Sequence, residues 1–404
     1  MIKKSLAISL SVLAGIVLAL IIADVGVRIA NHWFPYFYCY EQARGWGLEP
    51  GAAGYYNREG HAYVSINRDG FRGPDYPKAK PPGTIRVAVL GDSYVEAMQV
   101  PQNETFTAII QQRLRDCPEL TGKKIETMNF GVDGYGTAQE LITLRRKVWN
   151  YSPDVVVLAI FLGNDIRNNS VALEGDQCRP FYIYRDGELR LTGPFEQSQS
   201  FRLWCMARFN YRDARLLGLF TNAWNIIKNP PRAPTPAHPQ ERAINYNIYK
   251  PPADAAWQAA WRVTEGLVTK MDHEVTRHRA MFLAVTEDTG IQVWPNPRVV
   301  AKFEEKLGVP DLFYPDRRIA ALGAREGFAV LTLAPPLQKY AQRHHVFLHG
   351  FDNTPMGFGH WNATGHRVAG QLIADKLCEM IVAGNCATCG VEKPPESSAA
   401  PLGS

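Results

Sequence analysis

Four short segments carry residues able to act together on a carbonyl carbon: Gly91-Asp92-Ser93, Asn129-Phe130-Gly131-Val132-Asp133-Gly134, Gly163-Asn164-Asp165 and His360-Trp361-Asn362-Ala363-Thr364-Gly365-His366. A serine on a tight turn between a strand and a helix has its hydroxyl raised into a cleft and its own N–H aimed at the same point. That hydroxyl is a weak nucleophile at neutral pH until a histidine within hydrogen-bond reach takes its proton. Ser93 is the candidate nucleophile and His360 the candidate base. The tetrahedral oxyanion formed by attack needs fixed donors, each worth about 3 kcal/mol in comparable sites. The Ser93 N–H, the Gly134 N–H and the Asn164 side-chain amide are the candidates. The chemistry these residues permit is acyl transfer through a serine ester.

Such a site needs elements that bring the four segments together. Thr84 to Gly91 is an apolar, β-branched run that enters the Gly-Asp-Ser turn, and Thr105 to Arg115 follows with helical periodicity. The alternation recurs: Ile125–Gly131 reads as a strand, Ala138–Trp149 as a helix, and Asp154–Gly163 as a strand buried on both faces. Further on, Asp254–His278, Arg317–Glu326 and Thr364–Ile381 read as helices, and Ala280–Thr286 and Ala329–Ala334 as strands. This order predicts an α/β fold with a mostly parallel sheet covered on both faces by helices. Ligands of such sheets bind outside the carboxyl ends of the strands, where all four segments fall. Asp176 to Pro252, at about 176–252, lacks the alternation and reads as an insertion over that edge.

In order and residue content the four segments resemble the blocks of the SGNH hydrolase family, also called GDSL-like esterases and lipases. The resemblance covers roughly residues 84–170 and 254–385. It implies a flavodoxin-like, three-layer α/β/α sandwich, and hydrolysis or transfer of acyl groups, often on lipids or carbohydrates. It implies Ser93 as nucleophile, His360 as base, and Ser93, Gly134 and Asn164 as the oxyanion hole. One position departs from the family: where an Asp usually stands three residues before the base, this chain has Gly357. Either Asp352 reaches His360 from the preceding loop, or a backbone carbonyl orients the ring and leaves a Ser-His dyad; Asp352 is the candidate carried forward. His366, one turn into the last helix, reads as structural. Trp204, Trp257, Trp261 and Trp361 could line a pocket but suit the core. No cofactor or metal is expected.

With 44 Lys+Arg against 39 Asp+Glu the net charge is +5, and 46% of residues are hydrophobic. This is a globular composition with no basic block or zinc-finger spacing, so a nucleic-acid partner is not expected. Ser5 to Ala23 (5–23) is uncharged and mostly apolar, and as a helix would span about 28 Å. Its length favours a transmembrane signal anchor over a cleaved signal peptide. Lys3 and Lys4 before it predict that the body lies on the periplasmic or extracellular side of the inner (plasma) membrane. The division expected is an anchor, an irregular stalk or cap over 31–82, a hydrolase-like domain over 83–385, and a disordered tail over 390–404 rich in Pro, Ser and Ala. Of the seven cysteines at least one stays unpaired, and Cys386-x-x-Cys389 suits a local disulfide or free thiols better than a metal. The function expected is a membrane-anchored serine esterase or O-acyltransferase acting on a carbohydrate or lipid acyl ester, an envelope polysaccharide among the candidate substrates. The alternative is a silent module of the same fold that binds a glycan or a partner.

Overall fold

A computed structural model of the chain describes residues 2–29, 36–213, 224, 227 and 244–390. Strands β1 (Tyr38–Glu41) and β2 (Gly45–Leu48) form one antiparallel pair, and β3 (Ala53–Tyr56) and β4 (Ala62–Ser65) another. The central sheet takes β5 (Thr84–Leu90), β6 (Lys124–Asn129) and β7 (Val155–Phe161). A third antiparallel pair, β8 (Phe181–Arg185) and β9 (Glu188–Thr192), precedes the last two sheet strands, β10 (Met281–Glu287) and β11 (Ala329–Thr332).

The five sheet strands are parallel, in the order β6-β5-β7-β10-β11. In order of appearance this is 2-1-3-4-5, the flavodoxin-like arrangement, whose reversal point lies beside the first strand. β5 and β7 are buried along their whole length, as the continuous apolar runs require. Their alternate side chains serve opposite faces. Ala88, Leu90, Val156, Leu158 and Ile160 share a core with Leu141, Leu144, Trp261, Leu267 and Met271 of the helices Thr137–Arg146 and Ala255–Arg277. Val87, Val89, Val155, Val157 and Ala159 share the other with Ile110, Leu114, Ile373 and Leu377 of the helices Phe106–Arg115 and Ala363–Met380. The result is three layers, helix on sheet on helix.

The ends of these helices are fixed by side-chain caps that satisfy otherwise orphaned N–H groups. Thr105 caps Phe106–Arg115 and Asp254 caps Ala255–Arg277. The Asn362 side chain accepts from both Thr364 and Gly365, so the last helix starts at a set place two residues after His360. Outside the insertion, two of the described helices of eight or more residues escape the sequence pattern, Pro297–Leu307 and Ala334–His344. Both carry proline in the first turn, where its fixed φ suits a helix start although it reads as a breaker.

The described part of the segment expected as an irregular stalk or cap, over 31–82, consists of short strands and turns packed on the body. Phe37, Trp46, Leu48, Val64 and Ile66 pack with Met98, Val132 and Tyr135, which belong to the loops after β5 and β6. The described part of the insertion divides. Hairpin β8–β9 lies against the helix Ala255–Arg277, with the Arg262 guanidinium 4.4 Å over the Tyr184 ring. Gln199–Asp213 is a helix that meets β1, and its Phe209 stacks on Trp46 at 6.1 Å. Trp257, Trp261 and Trp361 are buried, whereas Trp204 is 54% exposed. Disulfides join Cys117 to Cys378, Cys178 to Cys205 and Cys386 to Cys389, leaving Cys39 free.

Ile2–Ile29 is one helix. Among the described residues no helix is long and apolar enough to cross a membrane. Most of the tail foreseen over 390–404 lies outside the described residues, as do residues 31–35 and most of 214–243.

One close approach sets the geometry of the sheet's upper edge. A Cβ on Gly131 would lie 2.3 Å from the Glu96 nitrogen and 2.6 Å from the Val95 carbonyl carbon, so the loop after β6 and the turn after β5 touch backbone to backbone. The neighbouring Asn129 side chain accepts from the Gly131 N–H at 3.0 Å and donates to the Val95 carbonyl at 2.5 Å. Gly131→Ala should therefore force the two loops apart and lower stability by roughly 1–3 kcal/mol, read from the urea midpoint at unchanged m-value.

Candidate active site

The strand order fixes where the candidate residues fall. β5 lies between β6 and β7, so the turn bearing Ser93 is flanked by the Gly134 loop on one side and the Asn164 turn on the other. Asp92 caps the short helix Ser93–Glu96 by accepting from the Tyr94 N–H at 2.9 Å. Gly134 has φ +72, a conformation that favours glycine. Its carbonyl accepts from the Asn168 amide at 3.4 Å. Among the described residues neither the Ser93 N–H nor the Gly134 N–H has a hydrogen-bond acceptor. After β7, Asp165 accepts from the Phe161 N–H at 2.9 Å and closes the turn that presents Asn164.

His360 stands across the cleft, its Nε2 2.8 Å from the Ser93 hydroxyl. Its Nδ1 faces Glu59 Oε2 at 2.5 Å, and its backbone N–H donates to Glu59 Oε1 at 2.7 Å. A carboxylate at Nδ1 fixes that nitrogen as the protonated one and leaves Nε2 to accept from Ser93. Ser93, His360 and Glu59 thus form one hydrogen-bonded line. Ser93 is 6% exposed, and the side chains of His360 and Glu59 are 25% and 13% exposed.

Glu59 replaces the expected Asp352. Asp352 is exposed in the loop before His360, and the neighbouring side chain faces the protein instead. Asn353 accepts from the Gly60 N–H at 2.9 Å and donates to the carbonyls of Asn57 and Gly60. The loop that was to supply the acid clamps the β3–β4 turn that does supply it. Gly357 explains the departure at that position: its φ is +85, and a Cβ there would lie 2.4 Å from the Trp294 ring. No carboxylate fits. Nothing around Asn57-Arg58-Glu59-Gly60 in the sequence marks it; the one available signal is that the usual position holds a residue that cannot do the work.

Two further contacts tie the N-terminal segment to the site. The Trp46 indole donates to the Asp133 carbonyl at 2.9 Å, one residue before Gly134, and the Tyr135 hydroxyl donates back to the Trp46 carbonyl at 2.5 Å. The Arg72 guanidinium donates to the carbonyls of Glu96, Ala97 and Val100 and so closes the turn that follows Ser93. His366, read as structural, is buried and stacked on Phe106, and burial pushes its imidazolium down to about 3.

The charges around the site are set by burial. Beneath the strand ends lie the carboxyl groups of Asp92, Glu140, Asp165 and Glu287, all buried. Desolvation, followed by their mutual repulsion, holds Glu140, Asp165 and Glu287 well above the usual carboxylate range. Asp92 is raised by burial to about 6 against the Tyr94 N–H and His360, which favour its ionised form. Burial alone would lower His360, but the Glu59 carboxylate beside it overrides this and raises it to about 9. Glu59 is correspondingly lowered, burial opposing and His360 prevailing.

No protein-family model and no curated protein matches the chain. Solved structures with similarity to it include an acetyl xylan esterase, at 11% identity and a TM-score of 0.39 over 72% of this chain and 100% of that one. A lipase/acylhydrolase from Enterococcus faecalis matches at 12% identity and 0.36, over 73% and 96%. An acetylxylan esterase from Geobacillus stearothermophilus matches at 10% identity and 0.37, over 74% and 96%. Likeness of this degree carries no argument about activity, which rests on the geometry.

The raised His360 has a defined pH consequence. Its folded value of about 9 exceeds the ordinary 6.5 and Glu59 is lowered from 4.5, so the stabilisation from the Glu59–His360 pair is complete between about 4.5 and 6.5, is lost as pH rises through about 9, and is lost at acid pH as Glu59 takes up a proton. A base must be neutral to accept a proton, so ester turnover should rise with pH to a midpoint displaced upward from 6.5. Glu59→Gln removes the opposing charge, and the kcat/KM midpoint should then fall to or below the ordinary histidine value. A midpoint identical in the two proteins would separate Glu59 from the base.

Proposed function

We propose that this chain is a serine-dependent ester hydrolase or O-acyltransferase whose reaction centre is Ser93, His360 and Glu59. The observation that carries this reading is the line Ser93 Oγ to His360 Nε2 at 2.8 Å and His360 Nδ1 to Glu59 at 2.5 Å. The Ser93 oxygen attacks the ester carbonyl as its proton passes to His360 Nε2. The resulting imidazolium is stabilised by Glu59, which stays ionised. Negative charge on the carbonyl oxygen is met by the Ser93 N–H, the Gly134 N–H and the Asn164 amide. Collapse of the intermediate returns the proton from His360 to the leaving alkoxide and leaves an acyl group on Ser93. Water, or a hydroxyl of a second substrate, then resolves that ester by the same proton path in reverse. A silent binding module of the same fold would suit a site with no acid behind the base, and the Glu59 carboxylate at His360 Nδ1 speaks against it.

The substrate class we propose is a carbohydrate or lipid O-acyl ester outside the cytoplasm. Three disulfides support an oxidising compartment. The apolar run Ser5–Ala23, preceded by Lys3 and Lys4, supports a membrane tether with the body on the far side. An envelope polysaccharide would then be within reach of the anchored site.

Two experiments test this reading. A fluorophosphonate probe should label wild-type protein at Ser93, and Ser93→Ala should abolish labelling and lower p-nitrophenyl acetate turnover by about 10⁴-fold or more; a folded wild type that neither labels nor turns over would leave only the binding module. For location, the full chain should remain with membranes after carbonate washing and be released by detergent. Removal of residues 1–30 should free it, and recovery of the intact chain in the soluble fraction would overturn the tether.

A further inference from the structure

We infer that Asp288 and His349 are positioning residues for the base: a fully buried acid–imidazole pair that grips the backbone on both sides of His360. The inference rests on the serine-hydrolase reading above. Asp288 directly follows β10, and His349 opens the loop that ends at His360. Both side chains are fully shielded from solvent.

The contacts tie the pair to both neighbours of His360. His349 Nε2 lies 2.8 Å from Asp288 Oδ2, and His349 Nδ1 lies 2.7 Å from the Gly359 carbonyl oxygen. The other Asp288 oxygen accepts from the Trp361 indole N–H at 3.0 Å. Gly359 and Trp361 are the two neighbours of His360, so one buried pair holds both. Because the Gly359 carbonyl can only accept, Nδ1 carries a proton, and a second proton lies between Nε2 and the carboxylate. An imidazole and a carboxyl group enclosed together, with both ring nitrogens engaged, make a rigid support.

The decisive geometry is that of one peptide group. The Gly359 carbonyl and the His360 N–H belong to the same planar unit. Its carbonyl end is held by His349 and by the Tyr94 hydroxyl at 3.0 Å, and its N–H end by Glu59 at 2.7 Å. Gly359 has no side chain through which to be held, because a Cβ there would lie 2.1 Å from Glu59 Oε1. The peptide is therefore pinned between the residue that orients the base ring and the buried pair. The ends of the loop are zipped as well, by Gly350 N–H to the His360 carbonyl at 3.1 Å and Asn362 N–H to the Leu348 carbonyl at 2.9 Å. Loss of the pair should let the peptide rotate, and with it the distances from His360 to Ser93 and Glu59.

The test uses the full chain with Asp288→Asn, His349→Gln and the milder Trp361→Phe, which keeps an aromatic ring and deletes only the indole donor. Asp288→Asn should lower kcat for p-nitrophenyl acetate roughly 100-fold, as an ångström-scale misplacement does, with KM within about twofold. The midpoint of its kcat/KM profile should move toward that of Glu59→Gln, a shift that simple destabilisation would not produce. Trp361→Phe should lose about threefold to tenfold in kcat. In a double-mutant cycle with Glu59→Gln the losses should be less than additive, because both changes free the same peptide. Wild-type kcat and pH midpoint in folded Asp288→Asn, or strict additivity with Glu59→Gln, would overturn the proposal while Ser93 labelling in the wild type stands. If Asp288→Asn and His349→Gln do not fold, an unchanged kcat in folded Trp361→Phe overturns it. Absence of Ser93 labelling in the wild type removes the hydrolase reading, and this inference with it.

Discussion

The hydrogen bonds from His360 to Glu59 join two parts of the molecule that are about 300 residues apart in the chain, as their separation of 301 positions records. Glu59 accepts from both the ring and the backbone of His360, so it fixes the position of the residue and the orientation of its imidazole together. Much of the N-terminal segment exists to hold that carboxylate in place. The β3–β4 turn is clamped by Asn353, and the hairpin rests on Val64 and Ile66 in a core shared with the loops beside Ser93. Removing the segment would leave a complete parallel sheet with an unoriented base.

The same segment also braces the other half of the site. Trp46 and Arg72 reach the Gly134 loop and the turn after Ser93 through backbone carbonyls. Backbone anchoring suits a region where the chain comes too close for side chains. Gly131 lies against the peptide of Val95 and Glu96, and Gly359 against the Glu59 carboxylate. Where a Cβ cannot enter, position is set by whatever grips the peptide from the far side. For His360 that is His349 with Asp288 behind it, and for the Gly134 loop it is Trp46.

Electrostatically the edge of the sheet separates ionised from neutral acids. Glu59 keeps its charge because a cationic partner and two donors compensate its burial. Glu140, Asp165 and Glu287 lack such partners and are driven toward the neutral form. The consequence is that Glu59 is the carboxylate in direct contact with the base ring, above a layer in which Glu140, Asp165 and Glu287 are pushed toward the neutral form. The high proton affinity of His360 follows mainly from Glu59, with smaller contributions from the charges of Asp92 and Asp133.

What the sequence determined by itself was local and periodic. Apolar, β-branched runs such as Thr84–Leu90 and Val155–Phe161 read as strands buried on both faces, and the alternation with amphipathic helices leads to a parallel sheet with its loops at one edge. Ser93, Gly134, Asn164 and His360 were legible because each lies at an element end, where strand and helix signals change. Gly357 also announced that the usual acid was absent. Only the tertiary structure decided what took its place. Glu59 lies at the tip of a short hairpin in a segment without periodicity, and its role comes from a contact across the whole chain that no local pattern encodes. The Asp288–His349 pair was hidden for the same reason: burial and partner, not residue type or spacing, make a support of two residues that alone read as ordinary core polar groups.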